Sequence, residues 1–391
     1  MPVDDLWYRK KRDPETGQRA PSQRYGRGKR WRARWIDPAT GESRTELFSK
    51  KVDAERHSVN MEADISRGQY VDPRAGKVTV AEYAEQWRNQ QLHRDSTRDM
   101  VERAFRRHIN PKLGRMQMSQ LRPSHLRDWV KEQSGQLSAS TLRLVYSYIS
   151  AMCKAAVDDK VIGSSPCTRV RLPEVDRGDR FIPTPGQVHR IAGEVYERYR
   201  LAPYLAAGCG LRQSEIFGLE LDNIDFDRRE IVLTQQLKQM AGHAPQLTEL
   251  KTKTSRRVVE LPDVAMEELR RHVERYPPQW RDIADTTNPK QPRTRPARLL
   301  FTTVTGLPVT RSNWSPVWRS AVRRAGLPDG FGLHGLRHYF ATLLIHAGAS
   351  VKTVQLALGH STPVTTLNTY AHEWPEAVDR TRSLVDAALA E

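Results

Sequence analysis

Residues 331–370 are the stretch that most constrains what this chain can fold into. They read Phe-Gly-Leu-His334-Gly-Leu-Arg337-His338, then an apolar helical segment, then Leu-Gly-His360, and ten residues later Tyr370. His334 and Arg337, three positions apart, share one face of a helix and can converge on one small anion. His360 follows a glycine at a helix end, where a side chain can be aimed into a pocket. Tyr370 adds a hydroxyl, a candidate nucleophile. A fold that gathers two imidazoles, a guanidinium and a phenol has what it needs to attack a phosphodiester without metal. Each piece alone is weak, since most His-x-x-Arg pairs sit on helix surfaces and most late tyrosines are packing. The ordered set carries the argument.

Two upstream segments extend it. In Gly210-Leu-Arg212-Gln-Ser-Glu215-Ile-Phe-Gly-Leu219, Arg212 stands at a helix start after a glycine turn. Glu215, one turn later, can hold that arginine or an imidazole by a charge-assisted bond. In Leu250-Lys251-Thr-Lys253-Thr-Ser-Arg-Arg257, a lysine precedes a strand and is expected at a hairpin tip, from which an ammonium can reach over a substrate. Read in isolation, Arg212 and Glu215 are an ordinary helical ion pair and Lys251 an ordinary exposed lysine.

The partner is suggested by charge. Lys and Arg number 63 against 46 Asp and Glu, a formal net charge of +17. Such an excess points to a polyanion, nucleic acid before an anionic membrane surface. No apolar run is long enough for a membrane span, and the Met-Pro-Val-Asp-Asp start has no secretory h-region. The three cysteines, Cys153, Cys167 and Cys209, lack CxxC spacing, which fits a reduced compartment without a disulfide framework or zinc site. Neither a GxxxxGK[ST] loop nor an acidic metal cluster is present, so no cofactor and no metal are expected.

Three modules are expected. Residues 1–73 are short-period and basic, with eleven Lys or Arg between Arg9 and Arg34 interleaved with Tyr25, Trp31 and Trp35. Trp31-Arg-Ala-Arg-Trp35 alternates like a strand, and Lys51 onward has helical spacing. Arg30, Arg32 and Arg34 on such a strand could lie in a DNA groove. Residues 78–172 form a four-helix unit opened by the capping box Thr79-Val-Ala-Glu82. Its outer faces carry Arg103, Arg106 and Arg107, candidates for backbone phosphates or simply for solubility. Residues 180–391 follow a Pro- and Gly-rich linker; Thr184-Pro185 caps a helix, three short strands follow Leu219, and residues 280–298 look like a polar surface insertion. The segment after Tyr370 holds Val378, Leu384, Val385 and Ala388 on a helix-like face.

Arg212, a lysine, His334-x-x-Arg337, Leu-Gly-His360 and Tyr370, in this order, resemble the tyrosine recombinase (phage-type integrase) family. The resemblance covers the third module, and Leu358-Gly-His360-Ser-Thr-Pro-Val-Thr-Thr-Leu-Asn-Thr-Tyr370-Ala-His372 agrees with the family's closing segment nearly throughout. It implies a small α+β N-terminal DNA-binding domain (three-stranded sheet plus helix) for arm sites. An all-α four-helix core-binding domain would follow, then a mainly α catalytic domain with a small antiparallel sheet. It implies a site-specific integrase that integrates and excises a phage or integrative element. Such an enzyme would act as a homotetramer on double-stranded DNA in the bacterial cytoplasm, at the nucleoid, with accessory bending and directionality proteins. By resemblance, Arg212 and Arg337 would clamp the nonbridging phosphate oxygens, His360 would donate a further hydrogen bond, and Tyr370 would leave a 3′-phosphotyrosine. His334 would be the proton acceptor, an imidazole near ~6.5 facing a phenol near ~10. Lys251 would protonate the departing 5′ oxygen, with Lys253 the other candidate, and the C-terminal tail would dock on a neighbouring protomer or pack in cis. A type IB topoisomerase, which relaxes DNA without a specific site, uses the same side chains. A catalytically silent DNA-binding regulator would form no covalent adduct.

Overall fold

The computed structural model describes all residues but 15, 39, 69, 73, 176–179, 240–241, 375–384, 387–388 and 391. The chain divides into two compact units, Met1–Arg177 and Gly178–Glu391.

The first unit begins with strands β1 (Val3–Asp5), β2 (Tyr8–Arg12), β3 (Arg19–Pro21), β4 (Trp31–Ile36) and β5 (Ser43–Phe48), then helix α1 (Lys51–Ser66). A three-stranded antiparallel sheet, β1-β4-β5, packs on α1, and β2-β3 is a separate hairpin. Alternation along β4 explains the packing. Ala33 and Trp35 are buried, while Arg32 and Arg34 take the opposite face. Helices α2 (Val80–Gln90), α3 (Asp95–Ala104), α4 (Asn110–Leu113), α5 (Pro123–Ser134) and α6 (Ala139–Asp158) follow. The Thr79 cap forms as the sequence requires: Glu82 N–H donates to Thr79 Oγ1 at 3.2 Å and Thr79 N–H to Glu82 Oε2 at 2.9 Å. A π-helical turn, Phe105–Ile109, joins α3 to α4 and faces Phe105 and Ile109 inward. The bundle closes over Trp87, Phe105, Leu126, Trp129, Ile149 and Met152. After α6 the chain folds back on the bundle, the Cys167 carbonyl accepting from the Tyr146 hydroxyl at 3.3 Å.

The second unit runs through α7 (Pro185–Glu194), α8 (Leu201–Cys209) and α9 (Gln213–Ile216). Strands β6 (Ile224–Asp225), β7 (Glu230–Leu233), β8 (Gln235–Lys238), β9 (Gln246–Glu249) and β10 (Arg257–Glu260) come next. After α10 (Asp263–Arg275) come β11 (Arg281–Thr286) and β12 (Arg293–Ala297), and last the helices α11 (Arg311–Arg324), α12 (Leu333–His346), α13 (Val351–Leu358) and α14 (Pro363–Tyr370). Helix α8 is apolar on all sides and buried, with α7, α10 and α12 packed around it. It ends at Gly210, whose φ of 64° is left-handed and where a Cβ would collide with the Phe340 ring of α12.

Two expectations need correction, and a third becomes more specific. The single small antiparallel sheet is two sheets, β10-β7-β6 and β12-β11-β9-β8, the second with a parallel β9–β11 pair. Residues 280–298 are polar and largely at the surface, as expected, but are ordered. They form the β11–β12 hairpin of that second sheet. Arg295 bonds Asp285 at 2.7 Å and Glu220 at 2.6 Å, which neutralises two buried carboxylates while most of the hairpin stays exposed. Lys251, finally, is at no hairpin tip: β9 and β10 belong to different sheets, and the lysine lies in the segment crossing between them. Among the described residues no helix is long and apolar enough to cross a membrane. Of the tail, Val378, Leu384 and Ala388 lie outside the described residues.

Candidate active site

Five elements deliver the site. Arg212 is the N-cap residue of α9, fixed by the glycine turn at Gly210. Its backbone N–H donates to Glu215 Oε2 at 3.0 Å and its Nη1 to Glu215 Oε1 at 2.7 Å. Glu215, 2% exposed, also accepts from Arg257 Nη2 of β10 at 3.1 Å. Burial alone would raise this carboxyl, but Arg257 and Arg212 outweigh burial and hold it below its ordinary value. One buried carboxylate therefore aims the Arg212 guanidinium and ties a sheet to a helix. Arg212 stays partly exposed beside an open groove of about 480 Å³, lined also by Ser214, Lys238, Arg311 and His334.

Helix α12 carries His334, Arg337 and His338. Arg337 is 1% exposed and donates through Nη1 to Gly210 O and through Nη2 to Leu358 O at 2.6 Å. It thereby joins the C-terminal ends of α8 and α13. Burial first, then Arg212, lower its pKa to about 9. Helix α13 stops at Gly359, again left-handed at φ 61°, where a Cβ would press on Thr254 O and Ser255 Cα at 3.1 Å. That close approach seats the crossing segment of Lys251 against the residue before His360. His360 Nδ1 lies 2.9 Å from Thr366 Oγ1 of α14, which fixes its ring. Tyr370 closes α14 and is 3% exposed.

The partner of the Tyr370 hydroxyl is His338, whose Nδ1 is 2.6 Å away, with the two rings edge-on at 5.5 Å. His334 stacks edge-on against His338 at 4.7 Å, its ring set deep while its outer edge lines the open groove. Among the described residues no hydrogen bond joins His334 to the phenol; the imidazole bonded to it is that of His338, one helical turn later. Arg180, ahead of α7, donates to Thr369 O at 3.0 Å and adds a further cation beside α14. Burial and the surrounding cations push all three imidazoles down: His334 to about 4, His338 to about 3 and His360 to about 4. Burial pushes the Tyr370 phenol up to about 12 against the pull of Arg337 and Arg180. The site at rest is thus neutral imidazoles and a neutral phenol within a shell of guanidiniums. It can hold an anion, polarise it and receive a proton.

Arg212, Glu215, His334, Arg337, His360 and Tyr370 are brought together. Lys251 is exposed in its connecting segment and has no hydrogen bond or ion pair to them among the described residues. His338, Arg180 and Arg257 escaped the sequence reading. His338 was within reach of it, since it is four residues from His334 on the same helical face. In the first unit, Arg32 and Arg34 both donate to Asp4, at 2.9 and 3.0 Å, and Arg30 pairs with Asp5 at 2.8 Å beneath a cage of Trp7, Tyr8 and Trp31. Asp4 is pulled down to about 2: burial would raise it, but Lys10, Arg32 and Arg34 prevail. Arg103 bonds Asp99 O, Arg106 pairs with Glu102 at 3.0 Å, and Arg107 is exposed with no ion pair among the described residues.

Comparison with known proteins bears on both units. Residues 184–376 match the phage integrase family, and residues 79–133 match the phage integrase N-terminal SAM-like domain. The integrase of Mycobacterium phage L5 is 27% identical over 347 residues, which span 86% of this chain and 89% of that protein. The Tn1549 transposon integrase, solved with a circular intermediate DNA, has 23% identity and a TM-score of 0.69, covering 80% of this chain and 99% of that one. A lambda integrase tetramer bound to a Holliday junction gives 15% identity and a TM-score of 0.55, covering 84% and 93%. From the shared helical and sheet layout and these matches, the chain belongs to the phage integrase family of tyrosine recombinases.

Proposed function

We propose that the protein is a site-specific DNA recombinase that integrates and excises a phage or integrative element through a covalent phosphotyrosine at Tyr370. The observation that carries this reading is one buried phenol bonded to His338 and set among Arg337, Arg180 and Arg212, delivered by successive elements of a single unit. The scissile phosphate binds at the mouth of the groove beside Arg212, the guanidinium with an exposed edge. Arg337, sealed beneath, supplies positive potential in a low-dielectric setting, and His360 donates to a nonbridging oxygen. Tyr370 Oη bonds to phosphorus while the bond to the 5′ oxygen breaks. The phenolic proton passes to a neighbouring imidazole, and Lys251 protonates the departing 5′ oxygen. The phosphodiester energy is kept in the 3′-phosphotyrosine, so rejoining needs no nucleotide.

Double-stranded DNA is the partner, with residues 78–172 on the core site and residues 1–73 on arm sites. The tetramer of the lambda relative supports a tetramer here. A substrate nicked near the cleavage point traps the adduct by losing its short leaving strand. Wild-type protein is expected to accumulate the adduct and Tyr370→Phe to form none; an adduct in Tyr370→Phe reassigns the nucleophile. Relaxation of plasmids of unrelated sequence at equal rates would instead identify a topoisomerase.

A further inference from the structure

We propose that His338 is a further catalytic residue, the one that orients the Tyr370 hydroxyl and receives its proton as the bond to phosphorus forms. The geometry is direct. His338 Nδ1 is 2.6 Å from Tyr370 Oη, within the range of a short, well-made O–H···N bond, and it is the imidazole nitrogen nearest the reacting oxygen among the hydrogen bonds described. Carrying its proton on Nε2, a neutral ring accepts the hydroxyl proton at Nδ1 and turns an oxygen lone pair away from the ring. Edge-on packing against His334 on one side and against the phenol on the other leaves the ring little freedom to rotate. Tyr370 is sealed at 3% exposure, so water does not replace the imidazole as its partner. This inference rests on Tyr370 being the nucleophile.

The balance is simple. Tyr370 Oη forms the bond to phosphorus, the bond from phosphorus to the 5′ oxygen breaks, the phenolic proton moves to His338 Nδ1, and the 5′ oxygen takes its proton from the opposite side. Proton transfer cannot precede attack in the free protein, because a phenol held near 12 does not ionise to an imidazole held near 3. Two changes reverse that order on DNA. Bond formation to phosphorus makes the phenolic oxygen strongly acidic. The scissile phosphate also brings negative charge among the groups that hold the imidazole down. Burial is the largest cause; the standing cations among the groups are Arg180 from the segment before α7 and Arg337 of its own helix, with His334 and His360 adding to them only when protonated. The histidine thus becomes a base only when a phosphodiester is in place, which protects the phenol from ionising without substrate.

The test uses the full-length protein on the nicked trapping substrate, with either an ordinary phosphodiester or a 5′-bridging phosphorothiolate, whose sulfur leaves without a proton. His338→Ala and His338→Asn are compared with wild type in single-turnover cleavage from pH 5.5 to pH 9, each after its DNA binding has been measured. The asparagine keeps an acceptor oxygen where Nδ1 stood but takes no proton, which guards against a misfolded alanine variant. Both variants are expected to bind DNA as wild type does and to cleave roughly 100-fold more slowly. Their rates should climb log-linearly with pH, where wild type levels off, and the phosphorothiolate should not restore either. Wild-type rates and pH profile in His338→Asn overturn the proposal. So does full rescue by the phosphorothiolate, which would move the residue to the leaving-group side. A wild-type protein that forms no adduct on this substrate overturns instead the assignment of Tyr370, and this inference with it.

Discussion

Replacing Glu215 by alanine tests whether one buried carboxylate organises the site. The side chain accepts three hydrogen bonds, two of them from the guanidiniums of Arg212 and Arg257. Its removal leaves Arg257, only 7% exposed at its side chain, as a buried cation without its counter-ion, still donating to the Ser255 carbonyl. Breaking a buried pair from one side costs about 3–5 kcal/mol, because the orphaned charge keeps its desolvation penalty. For a unit of roughly 200 residues, each kcal/mol lowers Tm by about 2–4 °C, so a fall of about 6–20 °C is expected in the second unit's transition. Differential scanning calorimetry can follow that transition apart from the first unit's. Glu215→Gln, which keeps the shape and one acceptor but not the charge, should fall between wild type and alanine. The pH dependence supplies a second check. Since Arg257 and Arg212 hold this carboxyl below its ordinary 4.5, its contribution is complete above that value and is lost as pH falls through the lowered one. The gap between wild type and Glu215→Gln should therefore close in acid. A Tm change under about 2 °C at pH 7, or a gap that persists in acid, refutes the reasoning.

Lys251→Ala is expected to slow cleavage of an ordinary phosphodiester by roughly 100-fold or more and to spare the 5′-bridging phosphorothiolate. That pattern in Lys253→Ala instead would move the assignment two residues. The three site imidazoles are held below their ordinary value, so the unfolded chain binds more protons than the folded one in mild acid. Their contribution to stability is present above pH 6.5 and should fall away as pH drops toward about 4. Nuclear magnetic resonance of these rings in the DNA-free protein should show no titration above pH 5; a midpoint near 6.5 would contradict the burial argument. Arg107→Ala should reduce the slope of log affinity against log salt by about 1 on core DNA, whereas Arg106→Ala, already paired with Glu102, should change it less. Equal effects would show that the ion pair does not survive on DNA.

Local rules made much of this molecule legible in its sequence. Thr79 and Glu82, Thr184 and Pro185, and the 3.6-residue spacing of the bundle's apolar positions each state a helix start or a buried face without help from distant residues. The same holds for His334 and Arg337, whose common face follows from helical geometry alone. What escaped depends on partners far away in the chain. The β11–β12 hairpin looks unanchored until Asp285 and Glu220 are seen to neutralise Arg295, and nothing near 280–298 announces that Glu220 will be there. Arg257 joins Glu215 across 42 positions, and Arg180 meets Thr369 across 189. His338 is a different case: it shares a helical face with His334 at i, i+4, but only the fold brings Tyr370, 32 positions on, against its ring.

Arg337 has one guanidinium with two duties. It fastens the ends of α8 and α13 by their terminal carbonyls, and it charges the chamber in which Tyr370 waits. A substitution there removes the staple and the field together, so no variant at this position can be inert yet properly assembled in the way Tyr370→Phe can. Among descendants of such a chain, decay of the chemistry with retention of the scaffold must begin elsewhere, at the phenol or the imidazoles. The buried arginine should be the last of the set to disappear.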